Sequence, residues 1–297
     1  MSAAVVDTPL PQRKTRRSKG YIGSLFGVNG LLVLTTCYMV FPLLWLVTSS
    51  MKSLGALYRA DGIPWSDIRL WENIQTVIQA NDGIYLRWLG NSILYAGVGA
   101  VVGGLIALLA GYAFDKFQFR GKSLWYSTVL AGVLIPATAT AIPLYLLASA
   151  VNLTNTMWAV MIPFLTNPFG VYLARTFSQG YVPDSVVEAA RIDGAGELQI
   201  FRRVALPMMA PGYVTIVLFQ FVGIWNNFML PLMMFSNSRL YPVSLGLYNW
   251  NAQTTSFPEY YPMVLAGSLL SIIPLLVAFI FLQRFWRAGL TAGSVKA

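Results

Sequence analysis

The sequence predicts an all-α membrane protein of six transmembrane helices, with a polar segment, residues 182–211, set between two of them. Three observations carry that expectation. Of 297 residues, 56% are hydrophobic and 10% charged, whereas about a quarter of a soluble domain is charged. Uncharged runs cover 20–51, 88–114, 123–174, 204–238 and 260–283; a spanning helix needs about 20 apolar residues, so the third run holds two spans. Finally, if both termini lie in the cytoplasm, 15 of the 20 Lys and Arg residues fall inside and five (Lys52, Arg59, Arg69, Arg87, Arg239) outside. That asymmetry is the one expected when positive loops stay inside during insertion.

The composition also excludes several functions. Histidine is absent and Cys37 is the single cysteine, which removes the usual general base, the commonest zinc ligand and any intrachain disulfide. No metal or cofactor is expected on this chain. The formal charge of +9 is spent on topology, which argues against nucleic acid as a partner. Gly121-Lys122-Ser123 imitates the end of a phosphate-binding loop, but the glycine required five residues earlier is Lys116.

In chain order, 1–20 is a cytoplasmic tail with the basic cluster Arg13-Lys14-Thr15-Arg16-Arg17, which anchors topology or meets membrane lipid. The span 25–47 is too long for a cleaved signal peptide. Residues 49–87 form the larger external loop, with short amphipathic pieces around Trp71 to Ile74; Trp65, Trp71 and Trp88 are interfacial anchors or a docking surface. The second span, 89–114, holds Gly97, Gly99, Gly103, Gly104 and Gly111, which suit close helix packing. Spans 124–148 and 158–177 are interrupted by Pro136, Pro143, Pro163 and Pro168, whose kinks are suited to lining a pathway. The fifth span, 213–235, carries Gln220, Trp225, Asn226 and Asn227. These are candidate substrate-path residues, since stacking and amide hydrogen bonds suit sugar hydroxyls; helix-to-helix hydrogen bonding is the competing reading. The sixth span is 263–285. No Asp, Glu, Lys or Arg lies near a span centre, so an ion-coupled carrier is disfavoured and a transporter would draw its energy from another subunit.

The polar segment has seven charged residues in thirty. Ser185-Val186-Val187-Glu188 has the form of a capping box, predicting a helix from Ser185 to Ile192; 193–196 breaks it. A second helix is expected over 197–204, ended by Pro207 and Pro211. Ala189, Ala190 and Ala195 make a small face for close approach by a partner.

Glu188-Ala189-Ala190, Asp193-Gly194-Ala195, Phe201, Leu206-Pro207 and Pro211 together resemble the EAA loop of the permease subunits of binding-protein-dependent ABC importers. The end of the chain, Gln283-Arg284 followed by 289–296, resembles that of the carbohydrate-class permeases similar to the smaller permease of the maltose-type system. The resemblance implies a type I importer permease fold over 21–288 with a cytoplasmic tail 289–297, in a multi-pass protein of the bacterial cytoplasmic membrane. It implies a second homologous permease, two ATPase subunits that carry ATP and Mg, and an extracytoplasmic solute-binding protein. Glu188, Ala189, Ala190, Asp193, Gly194, Ala195, Phe201, Leu206 and Pro207 would couple to the ATPase, with Thr291, Ala292 and Gly293 as tail contacts. The implied cargo is a sugar or oligosaccharide, with a polyol, glycerol-phosphate or peptide as alternatives and a secondary carrier as the remaining rival.

Overall fold

The computed structural model describes residues 19–59 and 68–292. The basic cluster at 13–17, Trp65 and Gly293 lie outside the described residues; Thr291 and Ala292 close the last helix. All regular structure among the described residues is helical. Among the described residues, those up to Thr48 form one unit and those from Ser49 another.

The first unit is helix α1 as far as Thr48; the helix itself runs Lys19–Ser50 and is apolar and exposed through its middle. Thr35 and Thr36 donate their hydroxyls to Leu31 and Leu32 carbonyls at 2.9 and 2.7 Å. Polar side chains in an otherwise apolar helix are thereby satisfied without water.

The second unit is built on α3, Leu70–Lys116, preceded by the short α2, Leu54–Tyr58. The external loop expected over 49–87 is largely helix. α3 starts at Leu70 and bends where Ala80 is extended and Asn81, Asp82 and Gly83 are left-handed. Three consecutive positive φ values end one helical run and re-aim the next, a device the apolar pattern does not reveal. Beyond the bend, Trp88, Ser92, Tyr95, Gly99, Gly103, Ala107 and Gly111 fall at spacings of three and four on a buried stripe. A Cβ on Gly111 would sit 2.6 Å from the Arg175 amide nitrogen, and one on Gly103 would meet the Gln220 amide. Both glycines therefore set helix-to-helix distances, while Gly97 faces open space.

Three expected spans are broken. α4, Lys122–Leu134, and α5, Ala137–Ala150, meet at 107° around Ile135 and Pro136. α6, Trp158–Phe164, and α7, Pro168–Tyr181, part at 165–167, where Asn167 Oδ1 accepts the Gly170 N–H at 2.8 Å and Pro168 takes the first turn. After the polar segment comes α10, Leu206–Trp225; 226–228 interrupts it before α11, Met229–Met234, so the fifth span is not the continuous 213–235 helix expected. α12, Val243–Ala252, and α13, Tyr260–Ala292, complete the chain. Among the described residues, four helices are long and apolar enough to cross a membrane, or five with the bent α4–α5 pair.

At one end of this body, α3 holds the strap 238–243 by side-chain bonds. Trp88 Nε1 donates to Ser238 O at 2.8 Å, Asn91 Nδ2 to Arg239 O and Tyr241 O at 2.9 Å each, and Ser92 Oγ accepts the Val243 N–H at 2.8 Å. Trp88 is 2% exposed and meets Trp250 edge-on at 4.7 Å. It is a core residue rather than the interfacial anchor its position suggested. Trp71, by contrast, is 68% exposed.

Candidate functional site

The polar segment folds as a helical hairpin at the opposite end of the same body. Its first helix, α8, runs Asp184–Ile192. Pro183, not Ser185, is the N-cap, and no side chain caps the helix. The capping box therefore does not form: Pro183, extended at ψ 141°, ends the linker one residue before Asp184, so the helix starts at Asp184 and Ser185 lies inside its first turn. The far end is a full Schellman turn. Ala195 N–H donates to Ala190 O and Gly194 N–H to Arg191 O, both at 3.0 Å, with Gly194 at φ +83°.

The turn pairs Ala190 with Ala195, both half-buried, so the small face expected of Ala189, Ala190 and Ala195 is divided. Ala189 stays outside with Glu188. Beside them stand Ile192, 86% exposed, and Leu198, 69% exposed, two apolar residues the sequence reading did not select. For Ile192 the sign was available: a bulky apolar residue directly before Asp193-Gly194 sits at the helix end, away from the core.

The second helix does not stop at Pro207. α9, Glu197–Ile200, passes into a π-helical turn, Phe201–Ala205, and on into α10. Leu206 N–H bonds to Phe201 O, a five-residue step. Proline at the second position of α10 lacks only a donor that the widened turn already leaves without a regular partner, so the chain continues. Leu206 is half-buried and Pro207 exposed there. Phe201, 5% exposed, packs its ring 5.2 Å from Tyr112 of α3, and Val187 and Ile200 enter the same core.

Ion pairs fix both ends of α8. Arg191 Nε donates to Glu197 Oε1 at 2.7 Å and Nη2 to Oε2 at 3.3 Å, which raises the arginine's pKa through that hydrogen bond. At the start, the Lys116 ammonium, its side chain 6% exposed, donates to Val182 O and Asp184 Oδ1 at 2.6 Å each and lies 3.0 Å from Asp115 Oδ2. Asp115 Oδ2 also accepts the Ser178 hydroxyl of α7 at 2.6 Å. The hydrogen bond from Lys116 holds the Asp184 carboxyl below its ordinary 3.8. The tie is thus complete above that pH and is lost as pH falls through the lowered value.

The three helix breaks converge elsewhere. A cavity of about 510 Å³ is lined by Ile135 and Ala137 at the first break, Thr166 and Asn167 at the second, and Asn227 at the third, with Gln220 on its wall. Irregular backbone at membrane depth is tolerated where it borders such a space. Of the four candidate path residues, Gln220 and Asn227 line it. Gln220 Nε2 donates to Phe164 O at 2.8 Å and its Oε1 accepts Asn167 Nδ2 at 2.9 Å, so its amide joins α10 to the α6–α7 break. Trp225 is buried against Phe221 and Asn226 donates to Val222 O, neither on the cavity.

Residues 99–288 match the family described as binding-protein-dependent transport system inner membrane component. The chain is 34% identical over 261 residues to the arabinooligosaccharides transport system permease protein AraQ of Halalkalibacterium halodurans, covering 86% of this chain and 91% of that protein. It is 28% identical over 266 residues to the lactose transport system permease protein LacG of Rhizobium radiobacter, covering 90% and 94%. Its fold is similar to a chain in the crystal structure of a bacterial ABC transporter involved in the import of the acidic polysaccharide alginate. There the TM-score is 0.74 at 24% identity, over 94% of this chain and all of that one.

Proposed function

This chain belongs to the binding-protein-dependent transport system inner membrane components, and from that premise we propose that it is the permease subunit of an ATP-driven importer for a sugar or oligosaccharide. The carrying observation is that a family match over 99–288 encloses both the α8 hairpin and the cavity, while the similar curated permeases are named for oligosaccharide and lactose transport. ATP hydrolysis belongs to partner subunits.

In the full reading, six crossings are made by α1, α3, the bent α4–α5, α6 with α7, α10 with α11, and α13, with both termini and α8 in the cytoplasm. Two ATPase subunits bind ATP and Mg, one of them docking on α8; a second permease completes the pathway, and an extracytoplasmic binding protein delivers the solute. Glu188, Ala189 and the exposed Ile192 offer the contact face, Ala190, Ala195 and Asp193 shape its end, Gly194 aims it, and Phe201, Leu206 and Pro207 root it in α10. The exposure of Ile192 and Leu198 supports a protein contact there. Thr291 to Gly293 are tail contacts to the same ATPases. ATP-driven closure would shift the bundle between two access states, opening the cavity by Gln220 and Asn227 to solute. Trp225 and Asn226 act one step back, by stacking on Phe221 and by ending α10.

Uptake of radiolabelled arabino-oligosaccharides, lactose, glycerol-phosphate and a dipeptide into proteoliposomes containing the assembled complex tests this. Accumulation of a saccharide that requires enclosed ATP is expected. Uptake driven by an ion gradient without ATP, or of the dipeptide alone, would overturn it.

A further inference from the structure

Between α7 and α8 the chain has two residues outside regular helix, Val182 and Pro183, at ψ 93° and 141°. A two-residue linker of this kind is a natural hinge, and a hinge in that position would let α8 move without moving the helix that lines the cavity. Lys116 bridges it. Its ammonium holds Val182 O and Asp184 Oδ1 on the two sides of Pro183, and it forms a 3.0 Å ion pair with Asp115, which accepts the Ser178 hydroxyl of α7. The ammonium thus donates to the end of α7 and to α8, and its charge is paired with Asp115 on its own helix. The side chain comes from the end of α3, so one buried charge ties α3, α7 and α8 together. α7 runs from here to Asn167, whose amide is bonded to Gln220 at the cavity.

Resting on the coupling role given to α8 above, we propose that Lys116, paired with Asp184, is the positioning residue that stiffens the α7–α8 linker so that displacement of α8 is passed to the cavity. Its partners distinguish it from Lys122, whose ammonium, among the described residues, donates to backbone carbonyls just before it, Phe117 O at 2.9 Å and Asp115 O at 3.4 Å. Asp184 is the informative member to change. Its side chain is 80% exposed, so Asp184→Ala removes the strap without opening a core.

The test uses the complete transporter in native membranes, in a Cys37→Ser background carrying two separate reporters. Ile192→Cys reports docking, by cross-linking to a subunit that is photolabelled by 8-azido-ATP. Thr166→Cys reports the cavity, by its N-ethylmaleimide labelling rate with and without ATP and vanadate. With Lys116 and Asp184 intact, trapping changes the labelling rate. With Asp184→Ala, cross-linking and vanadate trapping are expected to stay at the parent level while the trapping-induced change in labelling shrinks about fivefold. Lys116→Met behaves alike, the double variant is no worse than Lys116→Met alone, and Lys116→Arg restores most of the change. An undiminished labelling change in Asp184→Ala, with docking retained, overturns the inference. Loss of the cross-link in Asp184→Ala also overturns it, by making Asp184 part of the docking face. Absence of the cross-link in the parent itself would instead sink the coupling role of α8.

Discussion

Gly194 carries the most exacting backbone demand in the hairpin. Its φ of +83° closes the Schellman turn, and an added Cβ would meet nothing within 4 Å, so the restriction is conformational rather than steric. Valine there costs about 1–3 kcal/mol of local strain, enough to unwind the turn and re-aim α8 while the apolar spans still insert. Glu188→Lys reverses charge on the exposed face without touching the core. Both variants are expected to reach the membrane at normal levels and to lose at least about nine-tenths of ATP-dependent uptake; wild-type uptake in both would contradict the role given to α8. Residue-scale features were unevenly legible. The turn at Gly194 could be read from Asp-Gly-Ala-Gly alone, because glycine there needs no long-range information. Lys116 could not, because Asp184 lies 68 positions away and no periodicity links the two. Gln220 fell between: burial says that an amide needs partners, but not that they are Phe164 O and Asn167.

At the scale of elements, proline marked some breaks and misled at others. Pro136 and Pro168 stand at helix starts, whereas Pro143, Pro163 and Pro211 sit inside helices, and the break at 226–228 contains none. A missing N–H permits a break but does not require it; neighbouring helices and local π geometry decide. The π-turn at Phe201–Ala205 is the case where the sequence pointed the wrong way. Ending the second helix at Pro207 would have left Phe201 in a loop, whereas the continuous path through the π-turn roots it against Tyr112. Phe201→Ala is expected to destabilise by about 3–5 kcal/mol, seen as a lowered thermal midpoint of the detergent-purified protein, while Leu198→Ala on the exposed side leaves it unchanged. An unchanged midpoint for Phe201→Ala would show that the hairpin is not anchored there.

On the scale of the whole molecule, the second unit has two ends with different chemistry. One is an aromatic and amide lattice in which α3 holds the 238–243 strap. The other gathers Asp115, Lys116, Asp184, Arg191 and Glu197 around the hairpin. Apolar run lengths made the helical membrane class legible, because burial in lipid forces every backbone group into a helix. The bends were not, since a run of apolar residues reads alike whether straight or folded at 107°. The central claim is that the charged end, with α8 upon it, faces the cytoplasm, where ATPases can reach it. Alkaline phosphatase fused after Asn155 and, separately, after Gly196 tests that most directly. Activity after Asn155 and none after Gly196 is expected; the reverse pattern would contradict the claim.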